Sequence, residues 1–172
     1  MNKTQIRDGI YGGLAGGLIF GSMMGAMGML PMIGKMVGHP SIGVGFLVHM
    51  VNSAIIGAGF AVVLGRLARG LGSGLSYGLL YGGVWWLLGP LTLMPLFLGM
   101  GLGVNWTLTA AFNMLPSLMG HFMYGAILGV VYGMLHPVDR VQMDFVPTVP
   151  VAPREAGLSQ WARRPLRRFS LG

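Results

Sequence analysis

Apolar residues fill four long stretches of the chain, at about 9–33, 42–64, 74–98 and 116–135, and no Lys, Arg, Asp or Glu falls inside any of them. A helix needs roughly 20 mostly apolar residues to cross a bilayer, and all four stretches reach that length. Backbone groups facing lipid must be satisfied within their own segment, so each stretch predicts a transmembrane helix. The first follows a basic start, MNKTQIRD, with Asp8 at its boundary. Its apolar run exceeds the roughly 7–15 residues of a secretory signal, which predicts a retained anchor. In the third, Trp85 and Trp86 sit near mid-span and GPLTLMP follows; Pro90 removes a backbone donor there and predicts a kink. Between spans three and four, MGLGVNWTLTAAFNML predicts a turn and a short interfacial helix on the outer face, with Trp106 at headgroup level.

The four spans read as a doubled hairpin. HMVNSAIIGAGF, starting at His49, aligns with HFMYGAILGVVY, starting at His121, pairing His49 with His121, Ala54 with Ala126, Ile55 with Ile127 and Gly57 with Gly129. Span one opens YGGLAGG and span three YGLLYGG, pairing Tyr11 with Tyr77, Gly12 with Gly78 and Gly16 with Gly82. Spans two and four both open on Pro-Ser, at Pro40-Ser41 and Pro116-Ser117. Two spans per half return the chain to its starting side, so the repeats, about 9–65 and 75–136, are parallel about an axis along the membrane normal. The expected architecture is an all-α integral membrane protein: a four-helix domain over 1–136 and a separate tail over 137–172.

Composition agrees with lipid as the solvent. The 172 residues are 53% hydrophobic and 9% charged, with 31 glycines, against about a quarter charged in soluble domains. Charge adds sidedness. Of the 11 Lys and Arg residues, only Lys35 falls on one side; the others precede span one, lie between spans two and three, or follow span four. The positive-inside rule then makes both termini cytoplasmic, in an inner-type membrane.

Gly13, Gly17, Gly21 and Gly25 recur every fourth position on one face of span one. Small residues at this spacing admit close backbone approach, inside the bundle or against another copy or subunit. After His136-Pro137 the tail is proline-rich and ends in WARRPLRRF; Arg163, Arg164, Arg167 and Arg168 suit anionic headgroups or a partner subunit. One short basic tail on a membrane anchor is a poor footprint for nucleic acid.

The sequence offers little chemistry. With no cysteine, thiolate metal sites and iron–sulfur clusters are excluded from within the chain. There is no intramembrane acid, nucleophile motif or phosphate-binding loop, so the chain reads as non-enzymatic. Histidine remains. At 1.5 Å per residue, His49 and His121 lie at matched depth, roughly 10 Å below the outer surface. Asn52 and Tyr124 occupy the next turn (i+3) in each case and are candidates for orienting the imidazoles. The pair suits axial ligation of haem b, either one alone suits a chlorophyll-type pigment, and the alternative is interhelical hydrogen bonding. Of 15 methionines, all but Met1, Met134 and Met143 map to the outer half. Thioether with imidazole suits Cu(I), for which Met32, Met36 and His39 are the candidates. The leading expectation is an accessory subunit of a larger membrane complex, electron-transferring or light-harvesting; the second is a haem, pigment or copper binder on His49 and His121.

Overall fold

The computed structural model describes residues 3–138, and the arginine-rich segment containing Arg163, Arg164, Arg167 and Arg168 lies outside them. The described residues are helical, without strands: α1 (Lys3–Ala26), α2 (Leu30–Lys35), α3 (Ile42–Leu64), α4 (Leu71–Leu88), a π-helical turn (Gly89–Leu93), α5 (Met94–Phe97), α6 (Leu108–Asn113) and α7 (Leu115–Leu135). Four helical segments are long and apolar enough to cross a membrane: α1, α3, α7, and the run Leu71–Phe97.

Local chemistry sets the boundaries. Ser41 caps α3 by accepting the Val44 N–H at 3.2 Å, and Thr107 caps α6 by accepting that of Ala110 at 3.1 Å. Gly28, at φ +69°, turns the chain out of α1 in a conformation that L side chains rarely adopt. The first apolar stretch is therefore not one helix to residue 33. It breaks after Ala26 and resumes as α2, whose buried Leu30 and Gly34 pack on α3. At its other end α1 extends back to Lys3, so Asp8 lies within the helix. It is 4% exposed, accepts from Arg7 (Nη2 to Oδ1 3.0 Å) and lies beside His136, whose Nε2 is 3.2 Å from Oδ2 without a hydrogen bond. The opposite charge of Arg7 offsets part of the cost of desolvating the carboxylate.

Glycine backbones form the helix interfaces. α1 packs on α3 through Gly9, Gly13 and Gly17 against Ser53 and Gly57; a Cβ on Gly57 would meet the Gly13 Cα at 2.8 Å. α4 packs on α7 through Gly74, Gly78 and Gly82 against Gly125, Gly129 and Gly133; a Cβ on Gly129 would meet the Gly78 Cα at 2.9 Å. Close approach of this kind lets dispersion hold helices that lipid cannot drive together. Gly12 and Gly16 serve another face of α1, against Leu128 and Tyr124 of α7. In contact terms Gly13 thus matches Gly78, one position later than the Gly12–Gly78 pairing drawn from sequence. The ladder Gly13, Gly17, Gly21 and Gly25 corrects the other expectation for it. It faces Ser53, Gly57, His49 and Leu30 within the chain, and α3 with α2 already occupies the surface a partner would need.

Phe60, Leu128 and Tyr132 are fully buried at the centre of the core. α3 and α4 barely touch. They are joined mainly by Tyr81, whose hydroxyl donates to the Ile56 carbonyl at 2.9 Å and whose ring meets Phe60 edge-on at 5.3 Å. The bundle therefore has an open seam between these two helices.

Candidate ligand cavity

A cavity of about 320 Å³ lies along the seam, on the side of the bundle that carries α2, the π-turn and α5. Its walls come from α1 and α2 (Phe20, Met24, Met29, Ile33, and Met36 just after α2), from α3 (His49, Asn52, Ser53, Ile55, Ile56), from α4 through α5 (Trp85, Gly89, Pro90, Leu93, Met94, Phe97) and from α7 (Ser117, His121, Tyr124). Ile55 is 62% and Phe97 61% exposed, so the mouth opens sideways, between helices, where an embedded bundle would meet acyl chains.

Both sequence-predicted histidines line this cavity, in unlike roles. His49 reaches across to α1 and donates from Nε2 to the Gly17 carbonyl at 2.9 Å. Gly21 leaves room for it, since a Cβ there would stand 2.8 Å from His49 Cδ2. His121 turns back on its own helix and donates from Nδ1 to the Ser117 carbonyl at 2.8 Å. A carbonyl can only accept, so the proton on a neutral His121 sits on Nδ1 and Nε2 carries the lone pair. That Nε2 faces the π-turn, 3.7 Å from where a Cβ on Gly89 would lie, and has no hydrogen-bond partner among the described residues.

One aromatic ring contacts both imidazoles. Phe20 makes edge contacts with both, at centroid distances of 5.5 Å to His49 and 5.1 Å to His121. Nε2 of His49 is thus engaged by the Gly17 carbonyl while Nε2 of His121 is not, and the Phe20 ring lies against both imidazoles. Tyr124 does not orient an imidazole: its hydroxyl donates to the Ser53 carbonyl at 2.8 Å, linking α7 to α3. Asn52 is exposed at the cavity edge. The copper candidates are divided, because Met36 lines the cavity whereas Met32 and His39 are exposed outside it.

Three contributors were missed from sequence. Phe20 carried no signal, being one apolar residue among many; the adjacent clue was Gly120, whose missing side chain accommodates the Phe20 ring. Ser117 acts through its carbonyl, so its identity said nothing. The π-turn was foreshadowed by Pro90, although not in kind. Pro90 cannot donate to the preceding turn, and the chain widens: the Met94 N–H bonds to the Gly89 carbonyl, and the Thr92 hydroxyl satisfies the Leu87 carbonyl at 2.7 Å. Trp106 Nε1 in turn donates to Thr92 Oγ1 at 3.1 Å, and Asn105 Nδ2 to the Pro90 carbonyl at 3.4 Å.

The chain matches no protein-family model, and no curated protein or solved structure is significantly similar to it.

Proposed function

We propose that this chain is a non-catalytic integral membrane protein that holds one small, membrane-dissolved ligand in the seam between α3 and α4. The observation that carries this reading is the unpartnered Nε2 of His121, oriented by Ser117 and presented to an apolar cavity that opens sideways. Polar atoms inside a membrane protein are costly and mark functional sites by default. Largely apolar walls with a few convergent polar groups are the usual form of a small-molecule site. In this reading both termini are cytoplasmic, the cavity lies in the outer half of the bilayer, and the two hairpins descend from one duplicated unit. After duplication the histidines diverged: His49 became a strut to α1 and His121 kept a free nitrogen.

The test is identification of what accompanies the protein. Wild type, Gly89→Leu and Gly43→Leu are purified in mild detergent and extracted with organic solvent for mass spectrometry. A Leu at position 89 projects toward His121 Nε2 from ordinary van der Waals distance, whereas position 43 is exposed with open space around it. One compound recovered with wild type and Gly43→Leu, and lost with Gly89→Leu, is the expected result. Equal extracts from all three would overturn the reading.

The open seam also supports a second reading, as an accessory subunit of a larger electron-transfer or light-harvesting complex whose neighbouring helix covers the mouth. A solitary monomer on native gels after gentle solubilisation of source membranes would remove it.

A further inference from the structure

We infer that the ligand is a quinol-type molecule, a single phenolic ring on an apolar tail, and that His121 selects it in the reduced, hydroxyl-bearing form. This rests on reading the cavity as a ligand site and names the chemistry of its occupant.

The tautomer sets the selectivity. Because Nδ1 is committed as a donor to Ser117, Nε2 can only accept. A quinol hydroxyl donates to it; the carbonyl of the corresponding quinone brings a second lone pair and no proton. Size restricts the head group. At about 320 Å³ the cavity is at the small end of ligand sites and suits one substituted ring better than fused rings or a macrocycle. The walls suit an aromatic face: Phe20 and Trp85 supply ring edges and faces, and Met36 and Met94 supply thioethers, which pack favourably on aromatic rings. The tail has an exit, since Ile55 and Phe97 line the cavity and are both more than half exposed. A molecule dissolved in the bilayer can therefore enter head first without crossing water.

The step is binding alone, with no electron or proton transferred. Its thermodynamic consequence is nevertheless redox in kind. A site that binds the reduced form tenfold more tightly raises the midpoint potential of a bound two-electron couple by about 30 mV.

The experiment uses the full chain in lipid nanodiscs under anaerobic conditions, with a decyl-substituted benzoquinol and, separately, its benzoquinone as probes. Retention after filtration is read by absorbance, with empty nanodiscs as background. A buried acceptor that gains rather than lacks a partner is worth roughly tenfold or more in affinity, so wild type is expected to retain quinol over quinone by about that factor. His121→Gln tests the mechanism without emptying the site. Its amide both accepts and donates, so both forms should bind and the preference should collapse, an outcome that a purely packing role for His121 would not produce. His121→Phe should lose the quinol preference, and Gly89→Leu should exclude both forms. Equal retention of the two forms by wild type, or a preference for quinone, overturns the inference. If neither probe is retained while native extracts still show a compound lost in Gly89→Leu, the quinol assignment fails and the ligand-site reading stands. If the extracts are also equal, both fail.

Discussion

Tyr124 on α7 donates its hydroxyl to the carbonyl of Ser53 on α3 across 2.8 Å, in a position where both residues are buried. Ser53 Oγ donates in turn to the His49 carbonyl at 2.8 Å, so the strut braces α3 one turn from the cavity histidine. Hydrogen bonds between membrane helices average about 0.6 kcal/mol and reach about 1.7 kcal/mol. Tyr124→Phe should therefore lower stability by about 1 kcal/mol, read as a lower midpoint for thermal unfolding in detergent. Retention of a bound ligand should be nearly unchanged.

The glycine interfaces should be far less forgiving. A side chain on Gly78 would run into the backbone of Gly125 and Gly129, which cannot give way as a flexible side chain could. We expect Gly78→Leu to cost about 3 kcal/mol or more, at or beyond the upper end of ordinary overpacking. Gly72, on the same helix with nothing within 4 Å of its Cβ position, provides the control. Gly72→Leu should leave the unfolding midpoint within about 0.5 kcal/mol of wild type.

Asp8 links the start of α1 to the end of α7. Its Oδ1 accepts from Arg7 Nε and Nη2 at 3.1 and 3.0 Å, and its Oδ2 lies 3.2 Å from His136 Nε2. The Arg7 side chain is more than half exposed, so solvent screens that half of the interaction. Asp8→Asn should cost about 1–2 kcal/mol. In a double-mutant cycle with His136→Ala the costs should fall short of additive, because both remove the same contact. Additive losses would show that the proximity carries no energy.

Sidedness can be read chemically, because the chain has no cysteine of its own. Cysteines introduced at His39 and at Leu67, both exposed, probe the two ends of the bundle. With both termini cytoplasmic, a membrane-impermeant maleimide should label the His39 site on intact cells and the Leu67 site only after permeabilisation. The reverse pattern would invert the proposed topology.

The spans were legible because lipid demands long apolar runs, and α3 follows its apolar stretch residue for residue. Breaks were harder to see. Gly28 looks no different from the glycines inside α1 until its backbone angle is known, and so the separation of α2 was invisible. The histidines were legible as candidates because a polar ring in an apolar span stands out. Their roles were not. Which nitrogen is free depends on carbonyls, Gly17 for one and Ser117 for the other, and every residue has a carbonyl. Likewise, that the first glycine ladder faces inward depends on which helix folds back on it.

The π-turn has a geometric effect beyond widening one turn. Positions four apart on an α-helix drift by about 40° per step, so Trp85, Gly89, Leu93 and Phe97 would fan out over about 120° on an uninterrupted helix. All four line the same cavity. The single extra residue taken up between Gly89 and Leu93 sets the following residues back by about 100°, which brings Leu93 and Phe97 to within about 20° of the side that Trp85 occupies. Tightening that turn to α-helical pitch without removing a residue would advance Phe97 by about 100° around the helix and carry it off the cavity wall, removing one side of the doorway; deleting one residue along with it would leave Phe97 where it is.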